Sequence, residues 1–375
     1  MALTRIAQYD PAAARHVATA VSLHSHTHHS KEVLEFLPGW VSRIPVVRHM
    51  LRHDMDGFRS RRQRTVDFSR AYWCPPMSPA GVLASEQKQL DERFSALTLV
   101  SITDHDTIAA NVGLAAAGFG GVCPISVEWT VPYRGSVFHL GVHNLSPDRA
   151  PAWLRDFGHF TANPVEDRLI DILAGVSETP ATLIVLNHPL WNAHFDLHQD
   201  GTALAQFVRA YRPFLHATEI NGYRSHAENK AVIALGRDWD MPVLAGGDRH
   251  GRAPNAMVNL TASATFDEFV AEVRDDGRSD VVVMPEYREH PVTRTLEVVA
   301  DVLRTDRDAD PGQRHWAQRV FVILDDGSHV PLAELWEPRG PLAVRACVRT
   351  ASLLGSGTAR SALRLGLAVE DGGLL

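Results

Sequence analysis

Short apolar runs separated by longer amphipathic stretches organise this chain. Residues 21–26 (VSLHSH) pass from β-compatible positions into a polar loop, predicting a strand that ends in histidines. Apolar runs at 98–103 (TLVSIT), 123–127, 136–142 (SVFHLGV), 182–186 (TLIVL), 217–220 and 243–245 predict further strands. Between them, residues 84–97 place Leu90, Phe94 and Leu97 on one side of a helix. Helices are also expected from about 108 and at 164–176, 203–211 and 228–239. A run at 257–261, a helix at 266–273 and a strand at 281–284 complete the series. Strands alternating with helices imply an α/β fold with parallel pairing and right-handed crossovers. The polar residues that close the runs then fall at strand C-termini, where a barrel of such units places its chemistry.

Two stretches break the alternation. Residues 31–80 show no clean period and carry Arg43, Arg48, Arg52, Arg59, Arg61, Arg62, Arg64 and Arg70. They read as an irregular Arg-rich insertion, a lid facing an anionic ligand. From about 286 the pattern changes to a helix at 291–303, a strand and turn at 319–327 and mixed helix at 342–367. No catalytic constellation is visible there. The expected division is therefore a hydrolase barrel over 1–285, carrying the insertion, and a C-terminal accessory region over 286–375.

Composition adds boundaries to this picture. With 375 residues, 45% hydrophobic and 22% charged, the chain has ample material for a core. A net charge of -7 argues against a nucleic-acid-binding surface. Cys74, Cys123 and Cys347 form no CxxC pair, and their odd number suggests a reducing, cytoplasmic setting without a disulfide framework. The first residues lack a signal-peptide core and no apolar run spans a bilayer, so no membrane role is expected. The departure from ordinary composition is the presence of 20 histidines.

Their placement matters more than their number. His24 and His26 leave one side of a strand by the period-two rule, as do His139 and His143. His105, Glu128, His188, Asp248 and His250 close other runs. Any one of these reads as an ordinary structural or solvated residue, but together they form a ligand set. Imidazoles and carboxylates without thiolates suit zinc, manganese or iron. Glu128 could bridge two cations about 3.5–4 Å apart, the arrangement that clamps both oxygens of a phosphoryl displacement. Asp104 and Asp106 flank His105, either as proton donors to a leaving oxygen or as supports for the imidazole.

The motifs LHSHT at 23–27, TDHDT at 103–107, SVEWT at 126–130, FHLG at 138–141, NHP at 187–189 and GGDRH at 246–250 occur in that order. This series resembles the polymerase and histidinol phosphatase (PHP) family over about residues 18–285. The resemblance implies a distorted, TIM-like (β/α)7 barrel with a C-terminal extension and two or three divalent metal ions. It implies that His24, His26, Glu128 and Asp248 hold a first cation, and Glu128, His188 and either His139 or His143 a second, with His139 preferred. His105 and His250 would serve a third. The family's acid in the third site is replaced here by Lys31, whose ammonium cannot coordinate while protonated. That site is expected to be weak or empty unless Glu32, His28 or His29 supplies a ligand. The implied activity is phosphoester hydrolysis by metal-activated water on a small phosphorylated substrate. Such a substrate would be a phosphomonoester, a nucleotide or a short 5′-phosphorylated oligonucleotide. Metal-dependent hydrolysis of a non-phosphate bond and a non-catalytic metal-binding scaffold are the alternatives.

Overall fold

The computed structural model describes residues 2–34, 45–62, 66–191, 202–306, 309, 311–336, 340–355 and 359. Arg43, Arg64 and most of the helical stretch expected beyond 355 lie outside the described residues. In chain order the strands are β1 (Leu3–Gln8), β2 (Thr19–Ser25), β3 (Glu32–Val33), β4 (Ala71–Trp73), β5 (Leu97–Ile102), β6 (Val127–Tyr133) and β7 (Ser136–His143). They continue with β8 (Leu183–Asn187), β9 (Ala217–Asn221), β10 (Val243–Gly246), β11 (Met257–Thr261), β12 (Arg278–Val283), β13 (Val320–Ile323) and β14 (His329–Pro331).

The fold is mixed α/β, built on two five-stranded sheets ordered β1-β12-β11-β2-β5 and β10-β9-β8-β7-β6. Parallel pairing was expected throughout, but only half of the neighbours obey it. The pairs β1/β12, β2/β5, β8/β9 and β9/β10 are parallel. The pairs β11/β12, β2/β11, β6/β7 and β7/β8 are antiparallel. One cause is local. Arg134 and Gly135 join β6 to β7 with φ of 50° and 81°, the left-handed geometry of a tight hairpin turn.

The ladders do not close into a single sheet among the described residues. Two isolated bridges, Ser25 with Arg249 and His105 with Glu128, join the sheets instead. At the first, Gly247 N–H donates to Leu23 O at 2.9 Å and His26 N–H to Arg249 O at 2.8 Å. At the second, Asp106 N–H donates to Glu128 O at 2.9 Å. Both junctions lie where the histidine-bearing segments leave their strands.

Apolar packing fixes these sheets from both sides. Val21, Leu23, Leu99, Leu183, Val185, Ala217 and Leu244 form one cluster with Phe266, Phe269 and Val270 of the helix Phe266–Arg274. That helix starts at a capping box of Thr265 and Glu268. On the second sheet Trp129 stacks on Phe157 of the helix Ala150–Ala162, with ring centroids 4.3 Å apart. Each such fully buried side chain contributes on the order of 1.5–3 kcal/mol, so the strand ends carrying the polar groups rest on a stiff base.

The described part of the Arg-rich stretch is not irregular. It contains the helix Pro45–Arg62, whose Phe58 is buried and stacks on Trp336 at 4.4 Å, while Arg48, Arg52, Arg59 and Arg61 are exposed. Its strands β3 and β4 continue into the C-terminal strands, giving a third, antiparallel sheet ordered β14-β13-β4-β3. No helix among the described residues is long and apolar enough to cross a membrane.

Candidate metal centre

β2 does not run straight through its histidines. Its pairing with β5 shifts register between Leu23 and Ser25, and His24 between them has φ +64°. A bulge of this kind turns a side chain away from simple alternation. His188 and Asp248 also have positive φ, 26° and 48°. Left-handed backbone at three such residues is strain held in place by the surrounding fold.

The strained segments converge on Glu128, near the start of β6 rather than at the end of a strand over 123–127. One Glu128 oxygen lies 3.0 Å from His24 Nε2, 3.3 Å from His26 Nε2 and 3.4 Å from His105 Nε2. The other lies 3.1 Å from His188 Nε2 and 3.4 Å from His139 Nδ1. Asn187 Nδ2 donates to that second oxygen at 3.0 Å. Asp248 stands 3.5 Å from His26 and 3.7 Å from His24, and its other oxygen is 3.2 Å from the Arg224 guanidinium.

Four overlapping groups result, each with its donor atoms within 4.8 Å of one another. They are His24, His26 and Asp248; His24, Glu128 and His188; His105, Glu128 and His139; and His26, Glu32, His105 and His250. The fourth changes the expectation for Lys31. Lys31 turns away over the Tyr72 ring at 5.4 Å, and Glu32 enters the site in its place. Glu32 reaches His250 Nε2 at 3.1 Å and His105 Nε2 at 3.4 Å. The ring of His28 packs edge-on against that of His29 at 4.5 Å, and neither belongs to these groups.

His143 is not brought into the groups. It shares the face of His139 but sits deeper, its Nδ1 2.7 Å from Ser101 Oγ, and burial holds its pKa down to about 3. Asp104 accepts from Thr27 N–H at 2.6 Å and Thr27 Oγ1 at 2.7 Å, fixing the turn after His26. Asp106 is exposed and accepts from Thr130 N–H at 2.9 Å.

Several supporting residues were missed in the sequence. Glu219 Oε2 lies 2.7 Å from His24 Nδ1, and Asn221 Nδ2 donates to its other oxygen at 2.9 Å. The signal was available, since Glu219 interrupts an apolar strand and is only 2% exposed. Arg249, between Asp248 and His250, is buried and tied to Glu86 at 2.5 Å, Ser85 Oγ at 2.9 Å and Arg252 O at 2.7 Å. It anchors the loop so that its two neighbours face the site.

Electrostatics follow the geometry. Burial alone would lower His24, His26 and His105, but the adjoining carboxylates outweigh it. His24 is held well above its ordinary value, His26 at about 9 and His105 at about 10. Burial would raise Glu128, Glu32 and Asp248, and the surrounding imidazoles hold all three well below the usual carboxylate range. His139 is lowered, with burial the largest cause. A field that retains protons on imidazoles also attracts cations, which compete for the same nitrogens.

The residues fit divalent cations. His26 Nε2 and His139 Nδ1 are buried yet make no hydrogen bond despite their nearness to carboxylate oxygens. His24 and His188 hydrogen-bond Glu128, and these two further nitrogens are aimed at the same carboxylate without a bond of their own. The mixed imidazole and carboxylate set, with Glu128 central, is one that can hold metal ions.

Neither a family model nor a curated protein matches the chain. Among solved structures it is similar to a candidate metal-dependent phosphoesterase from Bifidobacterium adolescentis, with 17% identity and TM-score 0.34, covering 53% of this chain and 91% of that one. It is similar to an amidohydrolase from Chromobacterium violaceum with bound sulfate and no metal, with 12% identity and TM-score 0.38, covering 61% and 87%. A third is PsfC from Pseudomonas syringae, with 16% identity and TM-score 0.34, covering 56% and 86%. At such scores these likenesses carry no weight for the chemistry, which rests on the site itself.

Proposed function

We propose that the chain is a metal-dependent phosphoesterase of the PHP type acting on a small phosphorylated substrate. The observation that carries the metal reading is Glu128, with five imidazole nitrogens at 3.0–3.4 Å from its two oxygens. The order of the motifs supports the phosphoester reading. The barrel reading draws support from the two isolated bridges, which let the strands be followed as β2-β5-β6-β7-β8-β9-β10 and back to β2.

In this reading His24, His26, Asp248 and Glu128 would hold one cation, and Glu128, His188 and His139 a second. Glu32, His105, His250 and His26 would hold a third. Bound divalent cations supply Lewis-acid chemistry, lowering the pKa of water and drawing charge from phosphoryl oxygens. Glu219 and Asn221 hold the His24 ring in one orientation, and Arg249 holds the loop bearing Asp248 and His250. Asp104 is held by the Thr27 turn and Asp106 by Thr130 N–H; of the two, exposed Asp106 is the candidate for proton delivery to the leaving oxygen.

The test is a hydrolysis panel of nucleoside monophosphates, bisphosphates, sugar phosphates and short 5′-phosphorylated oligonucleotides. It is run beside amide and lactone substrates with Mn, Zn and Fe separately. Phosphate release that is abolished by chelator and restored by metal is expected. Turnover confined to the amides or lactones would overturn the phosphoester reading.

A further inference from the structure

The third donor group is assembled differently from the rest. The polar partners of His24, Glu128, His188 and Asp248 named above all lie before residue 286. Glu32, by contrast, sits on β3, a strand of two residues. Glu32 pairs with Trp73 of β4, and Trp73 pairs in turn with Val320 of β13. Leu34 N–H donates to Ala71 O at 2.9 Å, and Cys74 N–H to Arg319 O at 2.8 Å. Arg319 is buried and donates to the carbonyls of Val302, Arg304 and Gln313, fixing the approach to β13. Without β13, the two short strands β3 and β4 would be an isolated ribbon, which is marginal in water.

His250 is held from the same side. Two residues beyond it, Arg252 N–H donates to Asp301 Oδ2 at 3.1 Å and the Arg252 guanidinium pairs with Asp306. Asp306 N–H donates in turn to Arg314 O at 2.7 Å. The Trp73 ring lies 5.6 Å from the His250 ring, so the two supports meet at the site.

We infer that the C-terminal region positions Glu32 and His250 and thereby controls occupancy of the third cation site, with Arg252, Asp301 and Asp306 as positioning residues. This rests on the metal reading above. Because binding couplings are reciprocal, a third cation also tightens the docking of residues 320–331.

The test uses the full chain, with metal content measured at graded free Mn and Zn for the unmodified protein, Arg252→Ala, Arg252→Lys and Asp306→Ala. Amide exchange across 320–331 is followed in parallel, with Glu32→Gln as a further variant. Three ions are expected in the unmodified protein. Arg252→Ala and Asp306→Ala should keep two ions and bind the third at least roughly tenfold more weakly, as loss of supporting contacts does at metal sites. Arg252→Lys should recover much of that loss. Metal should slow exchange across 320–331 in the unmodified protein but not in Glu32→Gln. Third-ion affinity unchanged in both alanine variants overturns the inference and leaves the metal reading standing, as does an unmodified protein saturating at two ions. No uptake at all overturns both.

Discussion

The Glu219 carboxylate lies 2.7 Å from Nδ1 of His24, which leaves Nε2 of the same ring to face Glu128. A carboxylate behind a metal-binding imidazole fixes its tautomer and raises its basicity. Glu219→Ala should therefore weaken metal binding by about 10–100-fold with the fold retained. Metal titration beside far-UV circular dichroism checks this. Unchanged affinity would show that Glu219 serves only to fill space.

Room for that carboxylate comes from Gly246, since a Cβ there would overlap the Glu219 side chain. Gly246→Ala should cost about 1–3 kcal/mol of stability, the usual penalty of overpacking, and should disturb His24 as well. Urea titration reads the first effect and metal content the second. A neutral substitution would mean that Glu219 can move without consequence.

Lys31 is directed toward Tyr72, and Glu32 already supplies the acid of the third group. Lys31→Asp should then leave the number of bound ions unchanged, while Glu32→Gln should lower it. Metal analysis at saturating cation decides between the two residues. A gain of one ion in Lys31→Asp would return the ligand role to position 31.

His216 provides a check remote from the metal site. Its Nδ1 accepts from Ile184 N–H at 2.9 Å, and burial, with Arg274 and Arg212 nearby, lowers its pKa to about 3. The unfolded chain titrates near 6.5, so it binds the extra proton first. Stability is whole above that value and falls with pH between about 6.5 and 3. Lowering the pH from 7.5 to 5.5 should cost on the order of 1 kcal/mol through this residue, and His216→Gln should lose that part of the dependence. Equal pH dependence in both proteins would contradict it.

His24, His26, His105, His188, Asp248 and His250 were legible because each lies at or just beyond the end of an apolar run, whereas Glu128 opens β6 and His139 lies within β7. Pairing direction was not legible, since hydrophobic period is the same for parallel and antiparallel strands, and the β6/β7 hairpin turned on the two residues Arg134 and Gly135. His143 obeyed the same period-two rule as His139, and only depth separates them. Glu32 could not be told from His28 and His29 as the replacement for position 31, because a two-residue strand has no period to read. Its support from Val320 pairs segments far apart in the chain, which local pattern does not encode. The insertion looked irregular because, among the described side chains of the helix Pro45–Arg62, only Phe58 is buried, with Met55 packed partly buried in the same cluster.

Whether Glu128 lies at the middle of a metal cluster can be read from anomalous diffraction by crystals of the Mn- or Zn-loaded protein. Peaks are expected about 2 Å from each Glu128 oxygen, flanked by His24, His26 and Asp248 on one side and by His139 and His188 on the other. A loaded protein whose peaks all lie away from Glu128 would contradict that placement.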